Sequence, residues 1–255
     1  MRKFFVLLAF IFLTGCQAST AYIKDNSSDK KFKVHLKIDS SKKRETVLIL
    51  HNCAGITQHT MSWANQVAEW NYNAVVLDSF HTYGYSNLCS GGMDAATYPY
   101  KNAKDAEFVG KWIQHQAWSN GKVSVVGFSA GGNTSNLIAT TPNTFEPTKV
   151  FSSVVSYYPN CFSGVQERNL STPLLIHVGE KDNWVNVNEC KDMSKKSKFS
   201  DVEFHFYPNA EHSWDMGTSG VSKCWLGTCS WSYDREADKK SRQLTREFFE
   251  KNFKK

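Results

Sequence analysis

The sequence predicts an α/β fold, a mostly parallel, doubly wound sheet flanked by helices. Three observations carry that expectation. Short β-branched runs alternate along the chain with stretches of helical spacing. One such run, Val123 to Phe128, leads straight into Gly127-Phe128-Ser129-Ala130-Gly131 and then a helix-compatible segment, Asn133 to Ala139. Chemically active residues recur just beyond the predicted strand ends, where open α/β sheets place their ligands.

Taken in order, Phe32 to Ile38 alternates strictly, apolar at even positions, as a half-exposed edge strand does. Thr46 to Leu50 and Ala74 to Leu77 are continuous apolar strands, the pattern of a sheet covered on both faces. A helix through Met61, Val67 and Trp70 separates them. Residues 80–100 read as a long Gly- and Tyr-containing loop. Ala103, Ala106, Val109, Ile113 and Ala117 fall at helical spacing before the Val123 strand. Further strands are expected at Lys149 to Tyr157, Pro173 to Val178 and Val202 to Tyr207. A mostly polar helix around 187–197 lies between the last two, and a terminal helix carries Ala237, Leu244, Phe248 and Phe249.

The first residues are read as a targeting segment, not as fold. Arg2 and Lys3 precede Phe4 to Leu13, ten apolar residues, too short to span a bilayer. Leu13-Thr14-Gly15-Cys16 follows and resembles the lipobox of bacterial lipoproteins. The resemblance implies cleavage after residue 15 and lipidation of Cys16, hence a protein of the bacterial cell envelope held on the periplasmic side. Gln17 after the cysteine favours the outer membrane. Polar residues 17–31 then read as a flexible tether, so 16–31 is lipidated cysteine and tether, and 32–255 a single domain of about 225 residues. Without Arg2 and Lys3, 28 basic residues face 24 acidic ones. This modest, dispersed excess argues against nucleic-acid binding. No cysteine pair has zinc-finger spacing, and neither a metal nor another cofactor is expected.

A serine hydroxyl is a poor nucleophile at neutral pH and needs a base within reach, itself oriented by an acid. Ser129 follows one predicted strand, Asp182 the penultimate strand and His212 the last. Nucleophile, acid and histidine in that order along the chain, on a Gly-x-Ser-x-Gly turn, resemble the nucleophile elbow and triad of α/β-hydrolases. Glu180, Asp201 and Asp215 are rival acids; Asp182, three residues after Gly179, is preferred for its place at the strand end. Of eight histidines, His35, His177 and His205 lie within strands, and His59, His81 and His115 are read as surface or loop residues. Acyl transfer also needs two N–H donors for its oxyanion. The backbone amides of Ala130, next to the nucleophile, and Cys53, in the loop after the His51 strand, are the candidates. His51 is given no catalytic role.

Residues 46–252 resemble the dienelactone hydrolase family of α/β-hydrolases. The matching stretches are His51-Asn52-Cys53-Ala54-Gly55, Asp78-Ser79-Phe80 before a loop with Cys89, Gly127-Phe128-Ser129-Ala130-Gly131-Gly132, Gly179-Glu180-Lys181-Asp182, and His212 before an amphipathic terminal helix. The resemblance implies the same triad and the same two amides. Two positions depart from the founding enzymes, which have a cysteine nucleophile where this chain has Ser129 and a glutamate where it has Asn52. Together with export, these shift the expectation from dienelactones to a serine-dependent carboxylic ester hydrolase with a small-molecule ester substrate. A peptidase of the same fold and a non-catalytic envelope binding protein remain as alternatives.

Six cysteines besides Cys16 in an oxidising compartment suggest three disulfides. Cys53 and Cys89 sit on loops after adjacent strands, Cys224 and Cys229 can close a small loop, and Cys161 is left for Cys190. The aromatic stretch from Ser213 to Tyr233, with Trp214, Trp225 and Trp231, begins beside His212 and is expected to wall the substrate pocket within reach of Trp184. Tyr83 and Tyr85 are expected opposite.

Overall fold

The computed structural model describes residues 17–141, 150–161, 169–170, 172–196, 201–224 and 226–255. The signal segment, Cys16, Lys149 and Trp225 lie outside them. Among the described residues no helix is long and apolar enough to cross a membrane.

The elements are β1 (Gln17–Lys24), β2 (Lys31–Ile38), β3 (Arg44–Leu50), α1 (Gln58–Glu69), β4 (Asn73–Asp78), α2 (Ser79–Tyr83), α3 (Met93–Gln114), β5 (Ser119–Phe128), α4 (Ala130–Ala139) and β6 (Thr140–Thr141). There follow β7 (Phe151–Tyr157), β8 (Asn169–Leu170), β9 (Leu174–Gly179), α5 (Val187–Lys196), β10 (Val202–Tyr207), β11 (Gly220–Cys224), β12 (Gly227–Trp231) and α6 (Arg235–Phe253). The main sheet has the order β1-β2-β4-β3-β5-β7-β9-β10. From β4 to β10 every neighbouring pair is parallel, while β1 and β2 run antiparallel at one end.

The continuous apolar strands follow from a sheet covered on both faces. Leu48 and Leu50 of β3, with Val75, Val125 and Ile176, pack with Ala106, Val109 and Ile113 of α3. Their neighbours Val47, Ile49, Val76, Val126 and Leu175 pack on the other face with Trp63 and Val67 of α1 and Phe248 and Phe249 of α6. Period-two alternation thus splits each strand between two cores.

Three expectations are corrected. Residues 17–24, read as tether, form β1 and pair along all eight positions with β2. Their polar composition suits an outer strand; Ile23 is buried in the core and Ala21 packs against it. Consequently β2 is not the edge strand its alternation suggested; β1 covers it. The expected loop 80–100 holds α2 and the first turns of α3, with Pro99 inside the helix. Gly91 and Gly92, both at positive φ, turn the chain into α3; with Pro99 they gave this segment its loop-like composition.

Candidate active site

The elbow is built by close approach. Gly131 lies so near the carbonyl oxygens of Leu50 and His51 that a β-carbon there would collide with both, and one on Gly127 would meet Gly131 and Ser135. Only glycine lets the start of α4 press against β5 and the end of β3. Between them Ser129 is held at φ 52°, a left-handed conformation that costs a non-glycine residue energy and is typical of functional turns.

Ser129 and His212 are bridged by a 3.0 Å hydrogen bond between Oγ and Nε2. On the far side His212 Nδ1 donates to Asp182 Oδ2 at 2.7 Å, the acceptor-only carboxylate fixing the ring proton on Nδ1. The other oxygen, Asp182 Oδ1, accepts the backbone N–H of Trp184 at 2.8 Å and of Val185 at 3.3 Å. Asp182 and His212 are both buried. The three sequence-predicted residues are therefore one hydrogen-bonded chain, each at the carboxyl end of its strand.

The two amide candidates fall beside it. Cys53 and Ala130 line the same cavity of about 420 Å³ as Ser129 and His212. The Cys53 loop is pinned by its disulfide to Cys89 and by Leu88 N–H donating to the Cys53 carbonyl at 2.8 Å. Asn52, where the founding enzymes have glutamate, turns its Oδ1 to the Ala54 N–H at 2.9 Å, so it shapes the loop. Beneath it His51 is wholly buried, with Nδ1 on the Asn52 carbonyl at 2.7 Å and Nε2 on Ser79 Oγ at 3.0 Å. Burial lowers its pKa and favours the neutral ring. Through these hydrogen bonds His51 braces the loop. The remaining disulfides are Cys161–Cys190 and Cys224–Cys229, which completes the expected set.

Of Trp184, Trp214, Tyr83 and Tyr85, all expected at the pocket, Trp184 is the one that lines it. It also stacks on His212. Trp214 is fully buried in the core against Tyr157, Tyr158 and Tyr207, because its position two residues after His212 points it back under the sheet edge. Tyr83 donates to Asp105 Oδ2 at 2.6 Å, and Tyr85 packs on Phe80 and donates to Asp94. Neither tyrosine lines the cavity: α2 and α3, replacing the expected loop, hold both. The 213–233 stretch contains the β11–β12 hairpin. It touches the site through Ser230, whose carbonyl accepts the Trp184 indole N–H at 2.8 Å.

A second buried cluster was not legible. Asp215 accepts from His59 Nε2 at 2.8 Å, Trp63 Nε1 at 2.7 Å and Tyr158 OH at 2.9 Å. Burial works against its charge, but His59, Arg242 and these hydrogen bonds outweigh that and bring its pKa down to about 2. Arg242 also lies over the Trp63 ring, 4.3 Å from the centroid. The Tyr158 ring is 4.7 Å from that of His212, so the cluster supports the imidazole from behind. His59, expected at the surface, is 6% exposed. The available signal was helical spacing: His59, Trp63 and Val67 recur every four residues on the inner face of α1.

The dienelactone hydrolase family matches residues 32–253. Among solved structures, an esterase of Pyrococcus furiosus aligns with a TM-score of 0.67 at 16% identity, covering 92% of this chain and 93% of its own. A dienelactone hydrolase-like promiscuous phosphotriesterase from metagenomic libraries gives 0.65 at 16%, covering 93% and 99%. An esterase of Thermogutta terrifontis, phosphoramylated by tabun, gives 0.64 at 14%, covering 92% and 94%. No curated protein sequence matches significantly. Similarity at this level establishes the fold, and the match over nearly the whole chain establishes the family. The protein belongs to the dienelactone hydrolase family, and is an α/β-hydrolase acting on ester bonds.

Proposed function

We propose that the protein is a serine-dependent carboxylic ester hydrolase working through Ser129, His212 and Asp182. One observation carries the reading, the unbroken hydrogen-bonded chain from Ser129 Oγ through the imidazole to Asp182. His212 Nε2 takes the hydroxyl proton as Ser129 Oγ attacks the ester carbonyl carbon. The carbonyl electron pair moves onto oxygen, where the Ala130 and Cys53 amides receive the negative charge. Collapse expels the alkoxide, which leaves as alcohol with the proton from His212. Water, deprotonated by His212, then attacks the acyl-enzyme, and collapse releases the acid as His212 returns the proton to Ser129 Oγ. Asp182 holds the imidazole in the productive tautomer and stabilises its charged form.

The test is a fluorophosphonate probe, which modifies an activated serine; the similar Thermogutta esterase is phosphoramylated by tabun, also an organophosphorus reagent. Wild type is expected to label and Ser129→Ala to remain unlabelled; folded wild type that does not label would overturn the reading.

We further propose that the protein carries a lipid tether on Cys16 and resides on the periplasmic side of the bacterial envelope, with Gln17 directing it to the outer membrane. Leu13-Thr14-Gly15-Cys16 after ten apolar residues supports it, as do three disulfides, which persist in oxidising compartments. Cys16→Ser is expected to move the protein from the membrane to the soluble fraction. An unmodified thiol at Cys16 in the mature protein would refute the tether.

A further inference from the structure

The cavity beside Ser129 carries no Asp, Glu, Lys or Arg side chain among the described residues. Most of its wall is apolar, including Leu88, Pro99, Leu137 and Val185. No described lining side chain is a lysine or arginine that could neutralise a substrate carboxylate, and bringing an unpaired charge into an apolar site is costly. Besides Ser129, His212 and Tyr100, the polar side chains lining the space are Asn133, Asn136 and Asn160.

These three residues are not equivalent. Asn133 Oδ1 is engaged by the backbone N–H of Asn160 at 2.7 Å. Asn136, only 1% exposed, directs its Nδ2 to the Asn160 carbonyl at 3.5 Å, a weak contact. Its Oδ1 is buried with no hydrogen-bond partner. Among the described residues, this is the one buried side-chain atom without a partner whose residue lines the cavity. A buried acceptor left unsatisfied costs free energy that a bound donor recovers. Asn136 lies six residues into α4 from Ala130, about 9 Å along the helix axis. A donor meeting it therefore sits several bonds from the ester carbon at Ser129.

We propose that the cavity takes an uncharged ester bearing a remote hydroxyl or amide N–H, and that Asn136 Oδ1 receives that donor as a specificity determinant. The inference rests on the reading of Ser129 as nucleophile and adds the substrate class. A carboxylate end finds no lysine or arginine among the described lining residues, and a purely aliphatic ester leaves the buried oxygen unpaired.

The experiment compares kcat/KM for matched neutral esters. On the acyl side, p-nitrophenyl 6-hydroxyhexanoate is set against the heptanoate, the 6-methoxyhexanoate and the adipate monoester. On the alcohol side, 5-hydroxypentyl acetate is set against hexyl acetate. Wild type is expected to prefer the hydroxyl over its methyl counterpart by about tenfold on at least one side, the scale of one well-made hydrogen bond. The methoxy ester, which accepts but does not donate, should behave like the methyl one, and the adipate should be slowest. In Asn136→Leu the preference should collapse to within about twofold, and in Asn136→Asp, which keeps an acceptor oxygen, it should persist.

A wild-type ratio near unity on both sides overturns the proposal, as does a preference that survives in Asn136→Leu or an adipate that is turned over fastest. Because the wild-type ratios decide it, a variant that fails to fold does not protect it. Fluorophosphonate labelling of Ser129 without any hydroxyl preference defeats this proposal alone. Absence of both labelling and ester turnover defeats it together with the nucleophile assignment.

Discussion

Trp184 stacks on His212, with ring centroids 5.3 Å apart and planes at 21°. Its place is fixed from two directions, by its own backbone N–H on Asp182 and by its indole N–H on the Ser230 carbonyl. Asp182, His212 and the cavity wall are thus coupled through one side chain. Removing that ring should loosen the imidazole while sparing the nucleophile. Trp184→Ala is expected to lower kcat/KM by about tenfold, in line with the sensitivity of catalysis to small misplacements. Fluorophosphonate labelling should be slowed, not abolished. Retention of full kcat/KM would show that Trp184 only fills space.

The Asp182 contact allows a sharper prediction. In Asp182→Asn one oxygen can still accept the Trp184 and Val185 amides, so the loop should persist. The new amide group would then face His212 Nδ1 as a donor and hold the imidazole in the wrong tautomer. A fall in kcat of about four orders of magnitude is expected, with little change in thermal midpoint. A modest loss, within about tenfold, would point to another acid.

Ser129, Asp182 and His212 were legible because each signal is local: a Gly-x-Ser-x-Gly turn and polar residues just past apolar strands. The parallel sheet was legible for the same reason, since Val47 to Leu50 and Ala74 to Leu77 need cover on both faces. What failed depended on partners distant in sequence. Gln17–Lys24 has no strand-like pattern of its own, and is a strand because β2 offers it an edge. Asp215, read as a rival acid, and His59, read as a surface or loop residue, lie 156 residues apart, and their pairing is visible only once the fold brings them together. Trp214 was misplaced because aromatic content says that a residue packs, not on which side.

Loop anchoring can be tested by the Cys53–Cys89 disulfide, which closes a separation of 36 residues. The chain-entropy estimate for a loop of that length is about 4 kcal/mol. The double variant Cys53→Ala, Cys89→Ala should therefore lose stability of that order in denaturant titration. It should also lose kcat/KM beyond what unfolding explains, because the Cys53 amide would no longer be pinned beside Ala130. An equally active, less stable variant would confine the bridge to a structural role.

Asp215 yields a prediction with a definite pH window. Its folded-state pKa of about 2 lies below the ordinary value of 3.8, so the folded protein favours the ionised form. The resulting stabilisation is fully present above pH 3.8 and is lost as pH falls through about 2. By linkage it amounts to about 2 kcal/mol. Asp215→Asn also leaves His59 and Arg242 facing a neutral group, and breaking a buried pair typically costs about 3–5 kcal/mol. At pH 7 the variant should unfold at clearly lower urea concentration than wild type, and the gap should narrow as pH drops below about 4. Since Tyr158 connects this cluster to His212, kcat should fall while fluorophosphonate still labels Ser129. A stability gap independent of pH would mean that the Asp215 charge contributes nothing and that packing alone holds the cluster together.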